Sequence, residues 1–168
     1  VELVRAVRDI EHNVFRECLT LCGFERDVEL HNFADLPAFT GLGSSSAFTV
    51  SLLHALHTFR GEFLHPQELA YKAIHVERHI LKDNVGCQDQ VLAAFGGFNL
   101  VEFRTEQDIV VNRVPLSPVR LAEFEQHLFL VFTGITRKAS EVVAHQLQRV
   151  DLNGAALRTM RAMVYEGY

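Results

Sequence analysis

The sequence predicts an α+β fold, in which helices and strands mix without the strict alternation of a doubly wound sheet. Two observations lead to this class. Apolar residues recur at the spacing of an amphipathic helix across residues 44–59. Residues 98–103 and 109–114 alternate or run apolar, as strands do, and a short polar turn separates them. With 168 residues, of which 48% are hydrophobic, the chain can bury a substantial core.

The other elements are predicted from apolar spacing and from residues that start or stop helices. Pro66 and Pro118 have the fixed φ that suits a first helical turn, so each marks a helix start. Gly23 and Gly61 are expected to end the helices that precede them. In chain order the predictions are a helix from the N-terminus to about residue 23, a strand at 28–33, helices at 66–81, at 87–95 and from 118, a strand at 127–133, and helices at 139–150 and 155–165.

The composition argues against several classes of partner. A net charge of −5 makes a nucleic-acid partner unexpected, and no apolar run approaches the ~20 residues that span a bilayer. No signal peptide is visible, and the three cysteines include no Cys-x-x-Cys pair, so we expect a reduced, cytoplasmic location. Cys18 and Cys22 share a helix face whose geometry suits a disulfide poorly, which predicts buried thiols. The oligomeric state stays open.

Residues 37–49 form the most informative motif, Pro-Ala-Phe-Thr-Gly-Leu-Gly-Ser-Ser-Ser-Ala-Phe-Thr. The glycines permit a tight turn, and the helix that follows offers free N–H groups and the positive end of its dipole. Serine hydroxyls add donors for phosphate oxygens and ligands for a hard cation such as Mg²⁺. We call Gly41, Leu42, Gly43, Ser44, Ser45 and Ser46 the glycine–serine loop; it predicts a nucleotide phosphate site, with an ordinary serine-capped turn as the alternative.

Two familiar phosphate-binding motifs do not fit the glycine–serine loop. A P-loop requires a Gly-Lys-Ser/Thr sequence, and no lysine occurs between Asp35 and Phe59. A dinucleotide fingerprint requires a third glycine at the position that Ser46 occupies. The loop therefore belongs to a different class of phosphate site.

Two carboxylates stand out downstream of the loop. Phosphoryl transfer requires a phosphate cradle, a carboxylate on Mg²⁺ and a carboxylate that orients or deprotonates the attacking hydroxyl. Glu77 lies on the predicted helix 66–81, and Asp89 lies in Gly-Cys-Gln-Asp-Gln after the turn at Gly86. Both are candidates for these two roles, although acidic residues on helix faces are more often simply solvated.

Three separate motifs resemble one kinase family. Residues 37–48 resemble the Pro-x-x-x-Gly-Leu-Gly-Ser-Ser motif of the GHMP kinases, the superfamily of galactokinase, homoserine kinase and mevalonate kinase. The second motif, formed by residues 75–81 (His-Val-Glu-Arg-His-Ile-Leu) together with 84–99, looks like the D-glycero-D-manno-heptose 7-phosphate kinase branch of that superfamily, and so does the third, residues 132–140. The resemblance covers nearly the whole chain, with the motifs in the expected order.

The resemblance implies a fold and a chemistry. The fold would be the ribosomal protein S5 domain 2-like α+β domain, with residues 1–150 as a partial ATP-binding domain and 151–168 as the start of the following helical region. The activity would be ATP- and Mg²⁺-dependent transfer to a sugar hydroxyl, with the anomeric hydroxyl of a heptose 7-phosphate favoured. A galactose- or fucose-type kinase, and a catalytically silent fragment that binds nucleotide or sugar, are the alternatives.

The resemblance also implies a role for each candidate residue. The glycine–serine loop would wrap the ATP phosphates, and Ser45 and Glu77 would hold Mg²⁺. Asp89 would take or orient the proton of the sugar hydroxyl. Thr133 and Arg137, after a predicted strand end, would contact the sugar or its phosphate.

Two further motifs of the family do not occur in this sequence. One belongs to strands that come before the region in hand, and the other is a glycine-rich motif near the C-terminus that packs beside the phosphate loop. There is no initiator Met, and Val1 already lies inside an apolar helical pattern. We therefore expect the chain to be part of a larger protein.

Overall fold

The computed structural model describes residues 2–35, 41–131, 134 and 153–168. Helices and one antiparallel pair of strands make up the described residues, as the α+β prediction requires. In chain order the elements are a 3₁₀ turn (Val7–Asp9), α1 (Asn13–Leu21), α2 (Ser44–Phe59), α3 (Pro66–Ile74), a π-helix (His75–Ile80), α4 (Gln88–Phe95), β1 (Asn99–Thr105), β2 (Asp108–Arg113), α5 (Pro118–Glu125) and α6 (Gly154–Gly167).

The chain divides into two units, one that contains the residues up to Gly96 and one that begins at Gly97. The first unit is helical and contains the core. The second contains the β1–β2 hairpin, in which Val101 pairs with Val111, followed by α5 and α6. The predicted boundary between residues 150 and 151 lies outside the described residues and stays a prediction. No helix in the described ranges is both long enough and apolar enough to cross a membrane.

Helix α2 is the central element of the first unit, and its bounds confirm the predicted helix at 44–59. It packs against α1, α3 and α4. The buried residues of α2 lie three or four apart, along one face of the helix: Ser46, Thr49, Val50, Leu53, Leu56 and His57, with Leu52 beside them. Each apolar side chain on this face that is removed from water contributes about 1.5–3 kcal/mol to stability, so the buried face of α2 holds the unit together.

The predicted helix at 66–81 changes its winding half-way. Residues 66–74 are α-helical, and the next six residues form a π-helix with a wider turn, in which the Leu81 N–H donates to the Val76 carbonyl. The spacing of apolar residues does not reveal a π-helix that continues an α-helix, because the buried positions remain closely spaced in the sequence. Single π-turns occur frequently at functional sites, and Glu77 lies in this one.

Three predictions about elements are wrong. The N-terminal helix begins only at Asn13, because the preceding Leu3 is 93% exposed and gains no burial that would stabilise a helix there. Residues 28–33 form no strand, and Phe33 is 89% exposed, because no neighbouring strand in the described ranges pairs with them. The same holds for residues 127–131, whereas residues 132 and 133 and the predicted helix at 139–150 lie outside the described residues. The alternation at 28–33 and the apolar run at 127–133 therefore indicated strands for which the described residues provide no partner.

Cys18 and Cys22 are free and buried in the core, as predicted. Burial raises the pKa of the Cys18 thiol from 9.0 to about 12, and the nearby Cys22 and Glu77 add to the effect. An unfolded chain ionises this thiol above pH 9, whereas the folded chain retains the proton. The stability from Cys18 is therefore complete below pH 9 and decreases as the pH rises towards 12.

We expect this loss to reach about 1 kcal/mol by pH 10. The measurement is urea unfolding of the intact protein and of Cys18→Ala between pH 6 and 10, with a reducing agent present. The cavity in Cys18→Ala lowers stability at every pH, so the informative quantity is the difference in unfolding free energy between the two proteins. That free-energy difference should be constant to about pH 8 and should then become smaller. Parallel profiles up to pH 10 would contradict the prediction.

Candidate active site

The glycine–serine loop turns directly into α2. Gly41 and Gly43 have φ values of +77° and +69°, a left-handed backbone that favours glycine. The first helical hydrogen bond is donated by the Ala47 N–H to the Gly43 carbonyl, at 2.9 Å. The N–H groups of Ser44, Ser45 and Ser46 are therefore not used by the helix. Together with the helix dipole, these groups form a site suited to an anion.

The three serines of the loop point in different directions, because successive helical residues are rotated by about 100°. Ser44 is half-buried, Ser45 is exposed, and Ser46 is only 5% exposed. Ser46 lies on the same face as Thr49 and Leu53, which turns its hydroxyl towards the interior. Its Oγ donates a hydrogen bond of 2.9 Å to Glu77 Oε2.

Glu77 is a buried carboxylate with an unequal set of partners. It is 3% exposed, and Oε2 accepts a second hydrogen bond, of 2.6 Å, from Gln90 Nε2. Among the described residues, no group donates to Oε1, although this oxygen is buried as well. A buried acceptor without a partner costs about 1–3 kcal/mol, and more for a charged group. The geometry therefore favours a positively charged species at Oε1.

Asp89 lies in the first turn of α4 and packs against the glycine–serine loop. A Cβ added to Gly43 would lie 3.0 Å from Asp89 Cγ and 3.3 Å from Asp89 Oδ2. The side chain is half-buried, so the carboxylate is shielded from bulk water on one side and accessible on the other. This contact places a second carboxylate directly beside the turn that begins α2.

The structure brings together some of the predicted site residues and separates others. Gly43 lies against Asp89, and Ser46 donates a hydrogen bond to Glu77. The serine that contacts Glu77 is Ser46, whereas Ser45, the predicted partner of Glu77 in metal binding, has an exposed side chain at the start of α2. The metal-binding role of Ser45 stays a prediction.

The remaining predicted residues lie at the edge of the described site or outside it. Gly41 and Leu42 are exposed on the loop, with Leu42 46% exposed. Thr133 and Arg137, the predicted sugar contacts, lie outside the described residues.

Gln90 is the site residue that the sequence reasoning missed. It is fully buried and donates to Glu77, and its own Oε1 has no partner among the described residues. The only sequence signal was its position: Gln90 stands four residues before Ala94, which packs against the core, and next to the buried Val91. A polar residue on a buried face indicates a required hydrogen bond.

The donor set fits a hard cation that is bound jointly with nucleotide phosphates. Mg²⁺ takes oxygen ligands and is usually held by one or two carboxylates, together with phosphate oxygens and water. Glu77 Oε1 is a buried carboxylate oxygen for which the described residues supply no donor, and the same side chain is hydrogen-bonded to Ser46 of the hydroxyl-rich loop. No three His, Cys, Asp or Glu side chains cluster within the described ranges, so the protein by itself forms no closed metal cage there.

Comparison with known families identifies the family to which the chain belongs. Residues 3–97 match the GHMP kinases N terminal domain, a region that contains the glycine–serine loop, Glu77 and Asp89. The chain belongs to the GHMP kinase family. The resemblance seen in the motifs is therefore confirmed, and the matched region ends where the first structural unit ends.

Individual relatives agree with the family. A D-glycero-alpha-D-manno-heptose 7-phosphate kinase of Campylobacter jejuni is 36% identical over 117 residues, which are 70% of this chain and 34% of that protein. An L-fucokinase/L-fucose-1-P guanylyltransferase of Bacteroides fragilis is 28% identical over 79% of this chain and 14% of its own length. The crystal structure of a D-glycero-D-manno-heptose 1-phosphate kinase from Bacteroides thetaiotaomicron superposes with a TM-score of 0.56 and 31% identity, covering 62% of this chain and 35% of that one. The chain thus spans about a third of the heptose kinases that it matches.

Proposed function

We propose that the intact protein transfers the γ-phosphoryl group of ATP to a sugar hydroxyl. The observation that carries this proposal is the contact between Asp89 and Gly43, which sets a carboxylate beside the anion-binding turn of α2. Glu77, hydrogen-bonded to Ser46 in the same first turn of α2, supplies the second carboxylate that such a site requires. Membership of the GHMP kinase family supports the reaction class.

The chain's own residues divide the work of the transfer. The free N–H groups of Ser44, Ser45 and Ser46 bind and orient phosphate oxygens. Asp89 accepts the proton of the attacking sugar hydroxyl while the oxygen of that hydroxyl bonds to the γ-phosphorus. The bond between the γ-phosphorus and the bridging oxygen breaks, and ADP leaves. Mg²⁺, held by Glu77 and Ser45, would neutralise charge on the phosphates.

For the substrate, we propose the anomeric hydroxyl of D-glycero-D-manno-heptose 7-phosphate, so that the product is the 1,7-bisphosphate. The 36% identity with the C. jejuni heptose 7-phosphate kinase supports this choice. Thr133 and Arg137 are proposed to contact the sugar or its phosphate, and an arginine suits a phosphate because its guanidinium offers paired donors. We propose a cytoplasmic location, where ATP and sugar phosphates are available.

A fucose-type kinase is the second candidate, supported by the 28% identity with the fucokinase of B. fragilis. A galactose-type kinase, or a domain that binds nucleotide or sugar without transfer, would share the same loop. These candidates differ in the sugar and in whether phosphate is transferred, so one assay separates them.

The test is phosphorylation of a panel of sugars by the intact protein with ATP and Mg²⁺, followed by ³¹P NMR and mass spectrometry. We expect D-glycero-D-manno-heptose 7-phosphate to give a product with a new anomeric phosphate, and EDTA to stop the reaction. The methyl heptoside 7-phosphate is the matched control, because its anomeric oxygen cannot accept phosphate. Turnover of L-fucose or D-galactose alone would show that the substrate is that sugar and not the heptose 7-phosphate. ATP binding without transfer to any sugar would contradict the proposed kinase activity.

A further inference from the structure

The two oxygens of the buried Glu77 carboxylate have different surroundings. Oε2 accepts both the Ser46 hydroxyl at 2.9 Å and the Gln90 amide at 2.6 Å. Oε1 is buried and accepts nothing from the described residues. A carboxylate placed only for stability would be expected to share its donors between both oxygens, since each has two lone pairs.

The orientation of the Gln90 amide follows from this contact. Gln90 Nε2 donates to Glu77 Oε2 at 2.6 Å, so the NH₂ side of the amide faces the carboxylate. The amide oxygen is then directed elsewhere, and it too is buried, with no donor in the part of the chain that the structure describes. Glu77 Oε1 and Gln90 Oε1, the two oxygens without a described donor, therefore belong to side chains joined by one hydrogen bond.

We infer that Ser46 and Gln90 are positioning residues for the cation carboxylate: by occupying Oε2 together, they reserve Glu77 Oε1 for the divalent cation. The inference rests on the proposed function, in which Glu77 holds Mg²⁺. The two donors come from different elements, α2 and α4, and therefore fix the carboxylate in two directions. Groups that hydrogen-bond a metal ligand set its orientation, and their loss commonly weakens metal binding by about 10- to 100-fold.

The test measures cation affinity rather than activity alone. The intact protein is titrated into Mn²⁺ and the β,γ-imido analogue of ATP, and free Mn²⁺ is followed by electron paramagnetic resonance. We expect Gln90→Met and Ser46→Ala each to weaken Mn²⁺ binding by about 10- to 100-fold, with circular dichroism confirming that the variants are folded. The matched controls are Gln88→Met on α4 and Ser51→Ala on α2, whose native side chains are exposed, and we expect wild-type affinity for both.

A kinetic readout separates positioning from a purely structural role. If Ser46 and Gln90 act through Glu77, their loss raises the Mg²⁺ concentration needed for half-maximal rate, and saturating Mg²⁺ restores kcat. A kcat that stays low in saturating Mg²⁺ would contradict positioning. Wild-type Mn²⁺ affinity in folded Gln90→Met or folded Ser46→Ala would overturn the inference; if Gln90→Met does not fold, the smaller change Ser46→Ala decides.

The variant Glu77→Gln distinguishes failure of this inference from failure of the proposed function. Unchanged Mn²⁺ affinity in Glu77→Gln would remove the cation role of Glu77, and the inference with it. Weakened affinity in Glu77→Gln, combined with wild-type affinity in Ser46→Ala and Gln90→Met, would overturn the positioning role alone.

Discussion

Replacing Asp89 with asparagine is expected to reduce phosphoryl transfer by about 10²- to 10⁴-fold while leaving ATP binding close to that of the wild type. The amide has nearly the same shape as the carboxylate, so it fits beside Gly43. Any other residue at position 43 would carry a Cβ that crowds the side chain of residue 89. The amide cannot accept the proton of the attacking hydroxyl. The loss should therefore appear in kcat, with little change in the dissociation constant of ATP.

Single-turnover rates and equilibrium binding of the intact protein measure the two quantities separately. Asp83→Asn is the matched control, because Asp83 is an exposed carboxylate between the π-helix and α4, and we expect normal kcat from it. Near-normal turnover by Asp89→Asn would exclude Asp89 as the base. A large loss of ATP affinity would instead assign Asp89 a part in nucleotide binding.

Much of the fold could be predicted because its signals are local. The helix at 44–59 follows from apolar spacing between two glycines, and the structure has the same bounds. The hairpin also agrees with its predicted strands to within two residues. The choice of Glu77 and Asp89 was supported by the family motifs, and both side chains contact the segment at 43–46.

The pairing of side chains was harder to predict, because it depends on how two helices meet. The motif alone does not say which of three consecutive serines faces Glu77. The spacing of Ser46 to Thr49, Val50 and Leu53 does indicate the buried face, and this signal could have identified Ser46 as the inward serine. The position of Gln90 opposite Glu77 depends on the packing of α4 against α2 and α3, which no local sequence pattern reports.

The second large effect is expected from Gly43→Ala. Alanine at this position would keep φ near +69°, which costs about 1–2 kcal/mol, and its Cβ would lie 3.0 Å from Asp89 Cγ. Asp89 is in the first turn of α4, so either the carboxylate or the loop must move. The shift required is a few tenths of an ångström. Because a misplacement of about 1 Å can cost 10²-fold in rate, we expect a loss of about tenfold in kcat/KM for Gly43→Ala.

Gly41→Ala isolates the backbone part of this effect. Gly41 has a similar φ of +77°, but a Cβ added there meets no atom of the described residues within 4 Å. Both variants should lose about 1–2 kcal/mol of stability from strain, measured by urea unfolding, whereas only Gly43→Ala should lose most of its turnover. Equal losses of kcat/KM in the two variants would mean that the turn itself, rather than the contact between Gly43 and Asp89, limits the rate. A selective loss in Gly43→Ala would mean that the reaction depends on how closely Asp89 approaches the glycine–serine loop, because an added Cβ at this position crowds that approach.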